Sequence, residues 1–161
     1  MTQKNDIELL IRDTYARVPH NTTVSVAYSA SDSTGFKLLW VKKELTSSLL
    51  NNYIEEEGAW EYIKPYLRSQ SSMTEEEAEE MFHLMYPNDK LLKVELEQDR
   101  VRFNRTFDGE HFGILCIFFN KIYSLEQLDW YYSKHFDVRD LIGKKLAIEV
   151  NKENNPYEKI D

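Results

Sequence analysis

The chain has 161 residues and a formal net charge of −8, from 28 acidic and 20 basic residues. A hydrophobic content of 42%, with 13% aromatic residues, excludes an intrinsically disordered chain, and the length suits one domain with a core of its own. The acidic balance excludes an overall basic surface of the kind that grips nucleic acid.

The cysteine content and the apolar segments indicate the cellular compartment in which the protein is expected. Cys116 is the single cysteine, so an internal disulfide is excluded. No signal-peptide pattern precedes Asp6, and the longest apolar run, residues 112–119, is too short to cross a bilayer. We therefore expect a cytoplasmic protein with no membrane partner.

The first 41 residues predict a helix followed by a β-hairpin. Asp6 can cap the helix, and Pro19 ends it because the residue before a proline is pushed out of helical space. Two strand-like runs, Val24–Ala30 and Phe36–Val41, flank the small polar segment SDSTG, which is typical of a hairpin loop. The expected buried stripe of the helix is Ile7, Leu10, Ile11 and Tyr15.

Residues 42–90 predict two helices with a turn between them. The first spans about Thr46 to Glu57 and ends at Gly58, and the segment WEYIKPYLR is predicted as a helical turn broken before Pro65. Thr74 and Glu77 have the spacing of a capping box, so a helix begins there, and Pro87 closes it. Its expected apolar stripe is Ala78, Met81, Phe82 and Met85.

Residues 91–119 predict strands. Alternating apolar residues in 91–107, with a possible turn at Gln98-Asp99, indicate one or two strands. After a turn at Asp108-Gly109, the run ILCIFF predicts a central strand buried on both faces, in which Cys116 is an inert core thiol.

The segment from Ser124 to Val150 predicts helix, short helix and strand. Ser124 and Gln127 form a second capping box, and the expected apolar stripe is Leu125, Leu128, Tyr132 and Phe136. Asp137 is the predicted cap of the short helix DVRDLI, and Gly143 is its predicted left-handed closing residue. Alternation over residues 146–150 then predicts a half-buried strand.

Together these elements predict one α+β domain over residues 1–161. Its sheet is expected to be antiparallel or mixed, with the helices mainly on one face, and a short flexible tail is expected at about 151–161. The sequence does not indicate an oligomeric state.

Motifs for catalysis and cofactor binding are missing from the sequence. It contains no glycine-rich phosphate loop, Gly-x-Ser-x-Gly elbow, His-Glu-x-x-His or Cys-x-x-Cys, so we expect no cofactor. Glu80 and His83 have the Glu-x-x-His spacing of di-iron bundles, but such a site needs a second pair and two further carboxylates. We therefore expect no metal and assign no catalytic residue.

The most suggestive polar cluster is His135, Asp137 and Arg139. An imidazole beside a carboxylate and a guanidinium has the chemistry for proton transfer. The structural alternative is that His135 ends one helix, Asp137 caps the next, and Arg139 forms an ion pair. The structural alternative needs fewer assumptions.

Basic and aromatic residues alternate around residues 100–107, at Arg100, Arg102, Phe103, Arg105 and Phe107. On a strand these residues do not share one face, so they do not make a stacking platform for bases. A solvated sheet face is the favoured interpretation, and binding to nucleic acid is not expected.

Three stretches resemble one group of proteins: ARVPH at 16–20, IKPYLRSQSSMTEEE at 63–77 and DWYYSKHFDVRDLIGKKLAIEV at 129–150. The group consists of short uncharacterised proteins encoded in genomes, phages and mobile elements of gut Bacteroidota. The resemblance implies a genomic setting and no activity. Asp140 stands where the group usually has glycine, and residues 42–58 and 88–122 match nothing in it.

From these observations we expect a small non-enzymatic interaction module of phage or mobile-element origin that binds a host or phage protein. The alternatives are an enzyme with an unrecognised site near His135, Asp137 and Arg139, and a protein that binds or mimics nucleic acid.

Overall fold

The structure is a computed structural model that describes residues 4–32, 35–54, 59–107 and 109–158. Over these residues it contains four α-helices, seven strands and three short 3-10 turns, which confirms the α+β class. The elements are α1 (Lys4–Ala16), β1 (Thr23–Asp32), β2 (Gly35–Glu44), α2 (Ser47–Ile54), β3 (Ile63–Leu67), α3 (Glu75–Met85), β4 (Lys90–Leu96), β5 (Arg100–Phe107), β6 (His111–Phe118), α4 (Leu125–Ser133) and β7 (Ile148–Glu149), with 3-10 turns at Val18–His20, Ala59–Tyr62 and Gln70–Ser72.

The strands form two sheets in two compact units of the chain. Residues 1–68 and 139–161 make unit 1, and residues 69–138 make unit 2. Unit 1 contains a mixed sheet in the order β2-β1-β3-β7, in which β3 and β7 are parallel, and unit 2 contains an antiparallel sheet in the order β4-β5-β6. Each unit has its own cluster of buried apolar residues.

In unit 1, α1 and α2 contribute to the core formed on β1 and β3. Val24 and Val26 of β1 are fully buried and face Pro65 and Ile63 of β3 in the antiparallel register. The predicted hairpin strands are confirmed and are longer than expected, and Ser33 and Thr34 of the predicted loop lie outside the described residues.

The predicted stripe of the first helix is confirmed at Ile7, Leu10 and Ile11, which belong to the core or pack against it, but not at Tyr15. Leu10 is buried as expected, but Tyr15 is exposed, while Asp13 and Thr14 are fully buried. The prediction that Asp6 caps the helix is wrong, because α1 includes Asp6 in its first turn. Its carboxylate instead lies 3.1 Å from the ammonium of Lys144.

The predicted helical turn before Pro65 is confirmed in part, because Ala59–Tyr62 is a 3-10 turn, but the following segment IKPYL is a strand. Pro65 pairs with Val24 of β1, and β3 pairs with β7 only from Tyr66 onward. A proline is tolerated in a strand where its missing N–H is not needed by a neighbouring ladder. The helix predicted after Thr46 is confirmed as α2, and its predicted end at Gly58 lies outside the described residues.

In unit 2, α3 begins as predicted. The hydroxyl of Thr74 accepts from the Glu77 N–H at 3.2 Å, and the Glu77 carboxylate accepts from the Thr74 N–H at 3.0 Å. This reciprocal capping box satisfies two backbone donors that a helix start leaves unpaired. The predicted stripe is confirmed, because Ala78, Met81 and Phe82 are fully buried and Met85 packs against the same core.

The run ILCIFF is not a central strand. It contributes most of β6, which is the last strand of its sheet and pairs, over the described residues, only with β5. Ile114 is 68% exposed and Cys116 is half-buried, so the prediction of burial on both faces is wrong. High hydrophobicity alone does not distinguish a central strand from an exposed edge strand.

Helix α4 begins after the predicted cap Ser124, and two residues of its predicted stripe, Tyr132 and Phe136, are buried. The Ser124 hydroxyl accepts from the Gln127 N–H at 3.1 Å, whereas the Gln127 side chain accepts from the N–H of Tyr123, not of Ser124. Leu125, a member of the predicted stripe, is 79% exposed. The buried residues of the helix are Gln127, Trp130, Tyr131 and Tyr132.

Residues 137–150 differ from prediction in two ways. The short helix predicted from Asp137 is absent over these described residues, and a turn at residues 141–146 replaces it. The N–H groups of Lys145 and Leu146 donate to the carbonyls of Ile142 and Leu141, a Schellman closure in which Lys145 (φ 62) is the left-handed residue. Gly143 was predicted for that role, but it serves close packing: a Cβ there would lie 2.2 Å from a carboxylate oxygen of Asp140.

Candidate functional site

The structure assigns a backbone role to His135, the first residue of the predicted polar cluster. His135 (φ 62) is left-handed, its N–H donates to the Tyr132 carbonyl at 3.0 Å, and the Phe136 N–H donates to the Tyr131 carbonyl at 2.9 Å. These two bonds are the Schellman closure of α4, and the rings of Tyr131 and Phe136 make the accompanying apolar contact with centroids 5.9 Å apart. His135 and Asp137 belong to unit 2, and Arg139 belongs to unit 1.

Arg139 is brought to a carboxylate that sequence reasoning missed. Its Nε lies 3.6 Å from Oδ1 of Asp13, which is fully buried. Arg17, also fully buried, places its Nε 2.5 Å from Oδ2 of the same carboxylate. The only sequence signal for this pair is the four-residue spacing of Asp13 and Arg17, which normally indicates an exposed helical ion pair.

A half-buried tyrosine continues the polar interior of unit 1. The Tyr157 hydroxyl donates to the Tyr66 carbonyl at 2.7 Å and accepts from the Thr23 N–H at 3.2 Å. Burial raises the pKa of Tyr157 to about 12, so the phenol is neutral at physiological pH. These contacts fasten the C-terminal segment to β1 and β3, which is a structural task.

The three stretches that carry the resemblance each contribute to this interior. Arg17 comes from the first stretch, Tyr66 from the second and Arg139 from the third. Their side-chain or backbone groups contact Asp13 or Tyr157 within unit 1. The remaining parts of the second and third stretches, residues 69–77 and 129–138, belong to unit 2.

Glu80 and His83 do not form a ligand pair. The Glu80 carboxylate accepts from Nζ of Lys134 at 2.7 Å and from Nε1 of Trp130 at 3.1 Å. The hydrogen bond from Lys134 is the main cause that lowers the pKa of Glu80. Within the part of the chain that the structure describes, no group of three or more His, Cys, Asp or Glu side chains is arranged to hold a metal ion.

The basic residues near β5 are paired with carboxylates. Arg100 lies 2.6 Å from Glu97, and Arg102 lies 2.8 Å from the same carboxylate. Arg105 pairs with Asp89, and its guanidinium carbon lies 4.7 Å from the centroid of the Tyr86 ring. Phosphate binding by these arginines would require them to exchange partners, so the geometry does not favour a nucleic-acid surface.

Strand β2 is the outstanding surface feature of unit 1. All of its ten residues are exposed, and over the described residues it pairs only with β1. Phe36 is 87% exposed and Leu38 is 52% exposed. Large apolar side chains exposed together on one strand mark an interaction site or an aggregation hazard. The exposed large apolar residues of the strand are Phe36, Leu38, Leu39, Trp40 and Val41.

Alternation along β2 places large apolar side chains on both faces of the ribbon. Phe36, Leu38 and Trp40 share one face, while Leu39 and Val41 lie on the other. Opposite the first set, β1 presents only small residues, because Leu38 pairs with Ser29 and Trp40 pairs with Ala27. Because these residues of β1 are small, space remains beside the large side chains of β2 that the side chains of a ligand can occupy.

A pocket adjoins this ribbon. It has a volume of about 350 Å³ and lies where β1 and β2 meet α2 and the 3-10 turn at Ala59–Tyr62. Its wall is largely apolar, and the hydroxyls of three tyrosines and the amide of an asparagine add a few polar groups. This is the usual composition of a binding pocket. Among its lining residues are Tyr28, Leu38, Asn52, Tyr53 and Tyr62.

The charge of β2 is opposite to that of the whole chain. The strand carries Lys37, Lys42 and Lys43 against the single acid Glu44, in a chain of net charge −8. The ammonium groups of Lys42 and Lys43 lie 5.0 and 4.9 Å from the ring centroids of Tyr66 and Tyr28. The ribbon thus combines apolar side chains with local positive charge.

No protein-family model, curated protein or solved structure matches this chain. None of the helices in the described residues has the length and apolar character needed to cross a membrane. The exposed strand β2 is therefore the feature from which we infer a function.

Proposed function

We propose that this protein is a non-enzymatic interaction module that binds a partner protein by adding an extended segment of the partner to the free edge of β2. The observation that carries the proposal is the exposure of the complete strand, including five large apolar residues. An edge strand offers unpaired backbone N–H and C=O groups, which give affinity to an added strand, and pockets for alternate side chains give specificity.

The charges of β2 define the chemistry of the partner segment. Lys37, Lys42 and Lys43 oppose pairing with a cationic strand and attract an acidic one. We infer a segment in which apolar residues alternate with other residues and Asp or Glu flank the apolar ones. One apolar side chain of the segment occupies the pocket beside Tyr28 and Tyr62. A host or phage protein as the source of the segment follows from the sequence resemblance alone.

A displayed library of random peptides, selected on the wild-type protein, tests this function. We expect the enriched peptides to alternate apolar residues and to carry acids. Their affinity should fall about 30-fold with Trp40→Ala or Leu38→Ala, the effect of losing an interface residue worth about 2 kcal/mol. Lys43→Glu should weaken the acidic peptides and reduce the salt dependence of binding.

Two controls separate strand addition from nonspecific adhesion. Leu125→Ala removes an exposed leucine from α4 in unit 2, and binding should stay at the wild-type level. Peptides N-methylated at alternate amides should lose affinity on one alternation only, because only one set of amides faces β2. Peptides that bind the wild type and the Trp40→Ala variant equally well would show that β2 is not the binding site.

A further inference from the structure

The four outer strands of the two sheets differ in the features that prevent their outer edges from pairing with a strand of another molecule. Natural sheets protect exposed edges with very short strands, bulges and charged side chains, lysine above all. Strand β7 has two residues, β4 contains a register irregularity together with Lys90, Lys93 and Glu95, and β2 carries three lysines. Strands β7 and β4 are therefore protected against pairing in general, whereas the lysines of β2 oppose a cationic strand and leave the edge open to an acidic one.

Strand β6 has none of these devices. Its eight residues, HFGILCIF, include no Lys, Arg, Asp or Glu. It pairs without irregularity with β5 along its whole length, and over the described residues no other strand pairs with it. At its end, the Phe118 N–H donates to the Tyr123 hydroxyl at 3.4 Å and the Phe118 carbonyl accepts from the Lys121 N–H at 3.1 Å. Phe112 is 78% exposed and Ile114 is 68% exposed, which is unusual for large apolar residues of a strand.

We infer that β6 pairs with β6 of a second copy of this chain, in antiparallel orientation, to join the two three-stranded sheets into one six-stranded sheet. Antiparallel pairing of identical strands is two-fold symmetric, so the same edge serves both copies. Because no position of β6 is charged, every register of this pairing is free of contacts between like charges.

Charge counts against β2 as the dimer edge. In an antiparallel self-pairing of β2 centred on Trp40, Lys37 of one copy lies opposite Lys43 of the other. Like charges directly opposite each other destabilise a strand pair, so the lysines restrict the registers that β2 could use, whereas β6 has no such restriction. Charge therefore favours a second copy at β6 and an acidic partner at β2, and the dimer is independent of the function proposed for β2.

The length of β6 limits the area that two copies can bury, and therefore the affinity of the dimer. One pair of eight-residue strands buries a small interface, below the roughly 1,200 Å² at which specific interfaces are normally stable. We therefore expect a reversible dimer with a Kd on the order of micromolar, visible as a change of mass with concentration.

Sedimentation of the full chain over a range of concentrations tests the inference. The wild type should pass from monomer to dimer, and Ile114→Glu or Phe112→Glu should raise the dimer Kd about tenfold or more, because both copies then carry a carboxylate at the joined edge. Leu125→Glu makes the same kind of change at another exposed site of unit 2 and should dimerise like the wild type. Thermal unfolding of each variant checks that unit 2 is still folded.

Hydrogen exchange supplies a second readout. Backbone amides of residues 111–118 that face away from β5 should become protected as the concentration rises, whereas amides of residues 35–44 should not. A chain that stays monomeric at all concentrations overturns the inference. So does a dimer that Ile114→Glu and Phe112→Glu leave intact, or one that protects residues 35–44 instead.

Discussion

The backbone of His135 adopts a conformation that costs free energy for a residue other than glycine. A left-handed φ of 62° is easy for glycine and costs other residues about 1 kcal/mol, yet the Schellman closure of α4 requires it. We expect His135→Gly to keep or raise the free energy of unfolding, and His135→Val to lower it by about 1–2 kcal/mol because branching at Cβ is poorly tolerated there. Urea denaturation of the two variants measures both effects.

If His135→Gly instead lost more than about 1 kcal/mol, the imidazole itself would contribute more than the backbone strain costs. That outcome would return His135, with Asp137, to the list of side chains that need a functional explanation.

Tyr157 makes a pH-dependent contribution to stability. Its pKa is about 12 in the folded chain and 10.0 in an unperturbed tyrosine, so the contribution is fully present below pH 10 and is lost as the pH rises through 12. Tyr157→Phe also leaves the Tyr66 carbonyl without its donor, at a cost of about 1–3 kcal/mol. We expect the difference in unfolding free energy between the wild type and Tyr157→Phe to be largest below pH 10 and to shrink toward pH 12.

Tyr131, whose pKa burial also raises to about 12, is present in both proteins and cancels in that difference. A difference that stays constant up to pH 12 would mean that the Tyr157 hydroxyl ionises as easily in the folded chain as in the unfolded one.

Local rules located some residues of this fold and missed others for a physical reason. Ser124 and Thr74 were found because a cap depends on a few neighbouring residues. Asp13 and Arg17 were missed, since burial of a charged pair depends on Arg139, which lies far away in sequence. The left-handed conformation of His135 was missed because glycine or asparagine normally signals it.

Helix α4 shows how one element is held by its aromatic residues. Trp130 is 6% exposed, its ring stacks on Phe136 with centroids 5.8 Å apart, and its Nε1 donates to Glu80. The tryptophan thus belongs to the core cluster of unit 2. Trp130→Ala should lower the free energy of unfolding by about 3–5 kcal/mol in urea denaturation.

Trp130→Phe keeps a stacked ring and should cost less than Trp130→Ala, whereas Leu125→Ala, at an exposed position of the same helix, should stay within about 0.5 kcal/mol. A cost below about 1 kcal/mol for Trp130→Ala would show that the ring is accessible to solvent in solution.

For most elements the sequence predicted whether the segment is a helix or a strand, but not how exposed it is to solvent. The hairpin β1–β2 and helices α2, α3 and α4 follow from periodicity and caps. Solvent exposure does not follow from these signals. Strands β2 and β6 are exposed because they are outer strands of their sheets, and the order of strands is set by pairing between segments that are distant in sequence. Both proposed interaction surfaces lie where hydrophobic sequence and outer position coincide.

For the whole molecule, the α+β class was predictable and the division into two sheets was not. No composition shift marks residues 69 or 138, where unit 2 begins and ends. The single α+β domain over residues 1–161 remains a prediction. Unit 1 is built from both ends of the chain, and β7 joins β3 although 80 residues or more of sequence separate them.

This discontinuity orders the events of synthesis on the ribosome. Residues 69–138 leave the ribosome before residues 139–158 do, so unit 2 can form while β3 still has an open edge and Tyr66 still lacks the hydroxyl of Tyr157. Unit 1 is therefore the later of the two to be completed. A nascent chain that has emerged up to about residue 138 would carry a complete unit 2 and an incomplete sheet of unit 1, whose open strand edge is the kind of surface that chaperones bind.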